Sequence, residues 1–164
     1  MAETITRLKK HQTIPFLDVR TGSSSTATWA RIGKSTVFDL VLNAQTEENN
    51  FIEDEMATTD VTRYAPSLAQ ELQCNKGDAA FDYLYKMFFD LPTGEEVKKD
   101  LLIVFAGNEG TDEAPSFRAW NTKSTLILDH FDSVAEKIYF SFTINKIERG
   151  TATVSGGTPT FTAS

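Results

Sequence analysis

The sequence has 164 residues, of which 40% are hydrophobic and 24% charged, so we expect one folded domain with a substantial core. Its net charge of −7 argues against a nucleic-acid-binding protein, because phosphate binding depends on Lys and Arg. The single cysteine, Cys74, excludes an intrachain disulfide. No apolar run is long enough to span a membrane, and none follows the basic N-terminus as in a signal peptide, so we expect a soluble, cytosolic product.

The first 34 residues are polar and loosely patterned, and include the low-complexity run "TGSSSTAT" at 21–28. Phe16 and Trp29 are the large apolar side chains near this run. We interpret residues 1–34 as an N-terminal arm that docks elsewhere, not as a packed element.

The segment 35–42, "STVFDLVL", has the composition of a strand. Polar residues 43–50 follow, and Phe51–Tyr64 can be extended throughout until Pro66 ends the run. Neither side of this extended segment is apolar enough for a core strand. We therefore expect a protruding hairpin or loop at about 43–60.

Residues 67–74 alternate apolar and polar side chains, which favours a strand, although Leu68 and Leu72 also have helical spacing. The next segment predicts a helix over about 78–90. Asp78 is a suitable N-cap, and Pro92 with Gly94 would end the helix. Its predicted buried stripe is Phe81, Leu84, Tyr85 and Phe88.

Strand composition resumes at 101–107, 117–131 and 136–150. In the last of these, Ile138, Phe140, Phe142 and Ile144 alternate with polar residues, so one side should face the core. We expect Gly150 to turn the chain into a return strand at 151–155, leaving 156–164 as a C-terminal tail. The fold class predicted is mainly β, an antiparallel sandwich or barrel of six or seven strands with one flanking helix; the domain spans 35–155.

Motifs for catalysis or cofactor binding are weak. Gly33-Lys34-Ser35 resembles the end of a phosphate-binding loop, but no apolar strand precedes it. His130 lies near Asp129, Asp132 and Ser133 without the turn that would expose a nucleophile. We predict no catalytic residues, no cofactor and no enzyme activity.

Metal binding is equally weakly indicated. Glu53-Asp54-Glu55 and the loop 107–113 offer oxygen ligands without a recognised spacing, and the two histidines are far apart in sequence. We predict no metal site.

Two stretches carry a family resemblance: "FIEDEMATTDVTRYAPSLAQE" at 51–71 and "KGDAAFDYLYKMFFDLPTGEEVKKDLLIVF" at 76–105. They resemble the major tail proteins, or tail tube proteins, of long-tailed bacteriophages with non-contractile tails. The later "FRAW" and "KIYFSFTINKIERGTATV" are similar in order, so the resemblance extends over most of 35–155.

The resemblance implies a virion structural protein that is assembled in the bacterial cytoplasm. Six copies would form a ring, and the rings would stack into a tube through which double-stranded DNA passes without specific binding. Expected partners are further copies and other tail proteins, namely the tape measure, distal tail and terminator proteins. A head–tail joining or terminator ring, or the tube of a contractile or secretion system, is the alternative. A carbohydrate-binding β-sandwich is a more distant one.

Under this hypothesis, residues of the polar extended segment and of the polar strand sides approach the lumen, where a polar or acidic wall would let DNA slide. The candidate lumen residues are Glu53, Glu55, Glu71, Tyr139, Ser141, Thr143 and Asn145. Contacts between subunits and rings are expected from the arm and the protruding segment. The candidates are Phe16, Trp29, Glu47, Glu48, Phe51, Asp54 and Arg63.

Overall fold

The computed structural model describes residue 7 and residues 13–20, 27–106, 116–155 and 158–163. The strands are β1 Thr13–Asp18, β2 Trp29–Arg31, β3 Ser35–Val41, β4 Gln45–Asn49, β5 Thr58–Arg63, β6 Ser67–Gln73, β7 Lys98–Phe105, β8 Phe117–Asp132, β9 Lys137–Ser155 and β10 Thr158–Ala163. One α-helix, α1 Ala79–Asp90, and one 3-10 turn, Gly94–Val97, lie between β6 and β7. The predicted fold class, mainly β and antiparallel with one flanking helix, is confirmed.

The main sheet has the order β2-β1-β7-β8-β9-β6-β3, with antiparallel neighbours. The first part of β9, residues 137–143, pairs with β6, whereas residues 150–155 pair with β10. Register shifts interrupt the β8–β9 ladder after Lys123 and after Leu128. Because bulges increase local twist, these shifts help this long sheet to curl into a half-barrel.

The main core lies between α1 and one side of the sheet. Ile138, Phe140 and Phe142 point into it, as the alternation in β9 predicts, and pack with Leu84 of the helix. A second, smaller cluster lies apart from it: Phe16, Leu102, Val104, Ala119 and Ala152. The sheet is therefore apolar on both sides near β7, and on one side near β6.

Helix α1 begins at its predicted cap. The Asp78 carboxylate accepts a hydrogen bond from the Ala80 N–H at 3.3 Å, and Leu91 ends the helix in a left-handed conformation. Phe81 and Leu84 are buried as predicted, but Tyr85 is 54% exposed. Ala80 and Met87 are buried instead, so the helix is rotated slightly from the orientation that the aromatic spacing suggested.

Replacing the Asp78 cap should destabilise the helix. Asp78→Ala is expected to lower the free energy of unfolding by about 1 kcal/mol, because the first-turn N–H groups lose their acceptor. Urea unfolding followed by circular dichroism would measure the loss; an unchanged midpoint would contradict the role of the cap.

The matched control for this experiment is Asp78→Asn, which keeps a capping oxygen. Burial raises the pKa of the Asp78 carboxyl, partly offset by the Ala80 N–H and by Lys34. The folded state therefore holds this proton more tightly than the unfolded state. The stability of the wild type falls as the pH rises from the ordinary Asp pKa to the raised pKa of Asp78 in the folded protein. Asp78→Asn should gain stability relative to wild type as the pH is raised above the ordinary Asp range.

The N-terminal segment differs from the expected arm. β1 pairs with β7 and β2 pairs with β1, so both strands belong to the main sheet. The apolar strand β7 is buried on its whole inner stretch, and β1 supplies the pairing that its second edge requires. Asp18 closes the β1–β2 connection by accepting from the backbone N–H groups of Arg20 and Thr28.

The C-terminal segment also differs from expectation. β9 continues through Gly150 to Ser155, and β10 in the expected tail is the return strand. Gly150 is needed for a close approach, because an added Cβ would overlap the Thr162 carbonyl oxygen and lie 2.7 Å from the Phe161 ring. The prediction that Gly150 turns the chain is wrong, because β9 runs straight through it.

Candidate functional site

A polar face runs across β6 and β9 on the side away from α1. Ser67, Glu71, Tyr139 and Thr143 lie on it, since Glu71 pairs with Tyr139 and Ser67 with Thr143. Ser141 pairs with Ala69 in the same row. The structure thus brings together four of the predicted lumen residues: Glu71, Tyr139, Ser141 and Thr143.

Some of the charged and aromatic side chains on this polar face are paired with one another. The Glu71 carboxylate lies 3.5 Å from the Lys137 ammonium and accepts a hydrogen bond from the Thr36 hydroxyl at 3.3 Å. Tyr139 stacks on His130 with ring centroids 4.0 Å apart, and His130 contacts the Asp129 carboxylate at 3.0 Å. Asp129 and Asp39, which lies opposite Ala69 on β3, add two further acids. The face is therefore polar and mildly acidic, rather than a strongly acidic wall.

Asn145 lies just beyond the end of β6. Its amide donates to the Thr125 hydroxyl at 2.9 Å, at the position where the β8–β9 register shifts. It is exposed and continues the row of Tyr139, Ser141 and Thr143 along β9.

The remaining two predicted lumen residues lie elsewhere. Glu53 and Glu55 are in the connection 50–57 between β4 and β5, which form a separate two-stranded sheet. Only Thr58–Arg63 of the segment expected to be extended is a strand. Because the chain reverses at 50–57, Glu53 and Glu55 do not share a face with Glu71.

The β4–β5 hairpin is a protruding, acidic element. Every residue from 45 to 63 is exposed except Asn49, which is half-buried. Residues 43–65 hold six acidic side chains and one arginine, so they carry −5 of the net −7 of the chain. Glu47 lies directly opposite Asp60, a like-charge pair that opposes pairing of the two strands.

Five of the predicted contact residues belong to this hairpin: Glu47, Glu48, Phe51, Asp54 and Arg63. Phe51 is 55% exposed, and Arg63 pairs with Gln45 at the base. The hairpin base is closed by a hydrogen bond from the Ala65 N–H to the Leu42 carbonyl at 3.0 Å. This hydrogen bond fixes the base of the hairpin beside the end of β3.

Phe16 and Trp29, the other two predicted contact residues, are used within the chain. Phe16 is 1% exposed in the smaller core cluster, and Trp29 is half-buried against it. Neither ring is available as a principal contact for another subunit, because β1 and β2 have joined the sheet.

Sequence reasoning missed an exposed apolar group at the C-terminal end of α1. Phe89 and Leu91 are largely exposed, and Tyr85 contacts Phe131 of β8 with ring centroids 5.7 Å apart. The helix has more large apolar side chains than one buried stripe requires. This excess could have predicted the exposed apolar group.

The residues considered for chemistry have structural partners. The Asp132 carboxylate accepts from the N–H groups of Val134 and Ala135 in the β8–β9 turn. Gly33 and Lys34 connect β2 to β3 without a following helix. The loop 107–113 lies outside the described residues. Among those that are described, no cluster of three or more His, Cys, Asp or Glu side chains could hold a metal, and no helix could cross a membrane.

No protein-family model matches the sequence, and no curated protein matches it significantly. Solved structures match the fold. One is the sheath/tube terminator of an extracellular contractile injection system, PVC, in the extended state; it is 12% identical with a TM-score of 0.51, covering 90% of this chain and 99% of that chain. Another is from the tail of an empty GTA particle refined with C6 symmetry; it is 14% identical with a TM-score of 0.52, covering 96% and 100%. The chain therefore has the fold of these two tail-assembly proteins.

Proposed function

We propose that this protein is a structural subunit of a phage tail or a related injection tail, and that it forms rings that stack into a tube. The observation that carries this proposal is the acidic β4–β5 hairpin, which stands off the main sheet. An isolated two-stranded hairpin is marginally stable in water, and like charges across its ladder weaken it further. Contact with a neighbouring copy would supply the missing stabilisation.

The fold supports the same proposal. The chain resembles, over 96% of its length, a subunit in a tail refined with C6 symmetry. Identical subunits related by rotation close into rings, and rings that present complementary ends stack. We propose six copies per ring. The edge of β3 that has no partner strand among the described residues would face the next copy around the ring. Other tail proteins would contact the ends of the tube.

We further propose that the polar face of β6 and β9 lines the channel. Double-stranded DNA is a dense polyanion, so a wall with unpaired Lys or Arg would bind it at every ring. The paired Glu71–Lys137 charges and the hydroxyls of Ser141 and Thr143 offer a polar surface with little net attraction for phosphate.

Adding charge to this face tests the placement. Assembled tubes of the variant Ser141→Lys/Thr143→Lys should retain a short DNA duplex at low salt and release it as salt increases, because two added cations per subunit line the lumen. Wild-type tubes should let it pass in a filter-retention assay. The matched control adds the same charge at exposed turns, Thr93→Lys/Ser133→Lys; equal retention by both variants would contradict the lumen placement.

A terminator ring is the second candidate, favoured by the likeness to the PVC terminator over 99% of that chain. A tube subunit and a terminator differ in whether their rings stack into a growing tube. Negative-stain micrographs of the concentrated protein should show stacked tubes for a tube subunit and single rings for a terminator. Monodisperse particles of monomer size at every concentration would overturn both.

A further inference from the structure

The main sheet has a gap along one side of β9. Residues 137–143 of β9 pair with β6 and residues 150–155 pair with β10, but 145–149 have no strand on that side within the described part of the chain. One hydrogen bond, from the Ile144 N–H to the Pro66 carbonyl at 2.9 Å, lies directly before the first residue of β6, and the pairing stops there. An open strand edge of this kind offers backbone donors and acceptors to an added segment.

The gap contains an apolar cavity of about 280 Å³. Its walls combine apolar side chains from the hairpin base and the sheet with two basic residues: Leu42, Tyr64, Trp120, Ile147, Lys146 and Arg149. Lys146 lies opposite Lys123 across β8 and β9. Lys123 pairs with Asp100 at 2.8 Å, whereas Lys146 has no acidic side chain within 4.0 Å among the described residues. The cavity therefore presents an apolar floor beside an uncompensated cation.

The hairpin tip has the complementary chemistry. Phe51, Ile52 and Met56 are exposed large apolar side chains, and they flank the acids 53–55. No other described segment combines three such side chains with three consecutive acids. Apolar groups that would fill the cavity and carboxylates that would pair with Lys146 thus occur together in one loop.

The tip cannot fill the cavity of its own chain. Leu42 and Tyr64 line the cavity at the hairpin base, and the five residues of β4 carry the tip about 16 Å away at about 3.3 Å per residue. The ladder between β4 and β5 holds this separation. A hairpin tip that occupies this cavity must therefore come from a second copy.

We infer that the tip of the hairpin, residues 51–56, docks into the gap beside β9 of a second copy, with its carboxylates against Lys146 and its apolar side chains on Trp120 and Ile147. This inference rests on the proposed function, since it requires self-assembly, and it names the acceptor surface for the hairpin. Repetition of the contact from copy to copy would join the subunits head to tail, which allows continued growth.

Charge reversal tests the pairing. Lys146→Glu should raise the protein concentration needed for assembly at least tenfold, measured by sedimentation, while its thermal unfolding stays that of wild type. Lys76→Glu, the same charge change at an exposed turn, should assemble like wild type. The variant Glu53→Lys/Asp54→Lys/Glu55→Lys should fail similarly, and combining it with Lys146→Glu should restore assembly. Assembly of Lys146→Glu at the wild-type concentration would overturn the inference.

A cysteine pair gives an independent readout. In a Cys74→Ser background, Ile52→Cys with Ile147→Cys should form a disulfide between copies under mild oxidation, whereas Ile52→Cys with Thr93→Cys should not. Equal cross-linking of both pairs, or none in assembled Ile52→Cys/Ile147→Cys, would overturn the inference and leave the proposed function standing. Absence of any assembly by the wild-type chain would overturn both.

Discussion

Replacing residues 45–63 by two glycines is expected to abolish assembly while the domain remains folded. The hairpin contributes no residue to either core cluster, and the hydrogen bond between Ala65 and Leu42 already brings its two ends together. Removing it shortens the connection between Leu42 and Ala65 from 22 residues to five. This lowers the loop-closure cost by about 1.3 kcal/mol, a change that slightly favours the folded domain. We expect assembly to be lost, because the removed element carries most of the net charge and the exposed tip.

Sedimentation velocity and urea unfolding would measure the two effects on the same sample. The shortened chain should sediment as a monomer at concentrations where the wild type forms large particles, with an unfolding midpoint close to that of wild type. Assembly of the shortened chain into wild-type tubes would show that the hairpin is dispensable. A large fall in stability would instead show that the hairpin is part of the folded core.

Gly150→Ala is expected to lower the free energy of unfolding by about 1–3 kcal/mol, the range for overpacking a filled site. The new methyl group would overlap the Thr162 carbonyl oxygen and press on the Phe161 ring, so β10 must shift away from β9. Backbone cannot move aside as a flexible side chain can. The phenyl ring of Phe161 covers the glycine, and that cover would be disturbed as well.

The control for this prediction is Gly33→Ala. An added Cβ there meets only the Arg31 side chain at ordinary distances, 3.6 Å or more, so its stability should stay near that of wild type. Thermal unfolding of the two variants side by side measures the difference. Equal midpoints for Gly150→Ala and Gly33→Ala would contradict the packing of β10 against Gly150.

The regular elements with strong periodicity could be predicted from the sequence. The alternation of Ile138, Phe140 and Phe142 indicates which side of β9 is buried, and the cap at Asp78 marks the start of α1. These signals are local: they depend on residues two to four apart, and the core then follows from burying the apolar side.

The sheet margins could not be predicted in the same way. β1 contains Pro15 and β2 has three residues, so neither has a recognisable pattern. β1 is a strand because it pairs with β7, and β2 is a strand because it pairs with β1. Gly150 carries no local sign that a neighbouring strand crosses it. Such features are determined by contacts between residues far apart in sequence.

The candidate site also contains parts that the sequence pattern predicts and parts that depend on long-range contacts. Period-two spacing places Tyr139, Ser141 and Thr143 on one side of β9, and register then adds Glu71 of β6. The pairing of Lys137 with Glu71 and the gap beside β9 depend on strand order, which the pattern does not contain. That this face lines a channel stays a prediction.

If another copy of the chain completes the hairpin, the backbone amides of the hairpin should become protected on assembly. Hydrogen–deuterium exchange of the backbone amides at 45–63, compared between dispersed and assembled protein, tests it most directly. We expect rapid exchange of these amides in the dispersed chain and strong protection on assembly, while amides of β7 and β8 are protected in both. Equally fast exchange of the hairpin amides in the assembled state would contradict it.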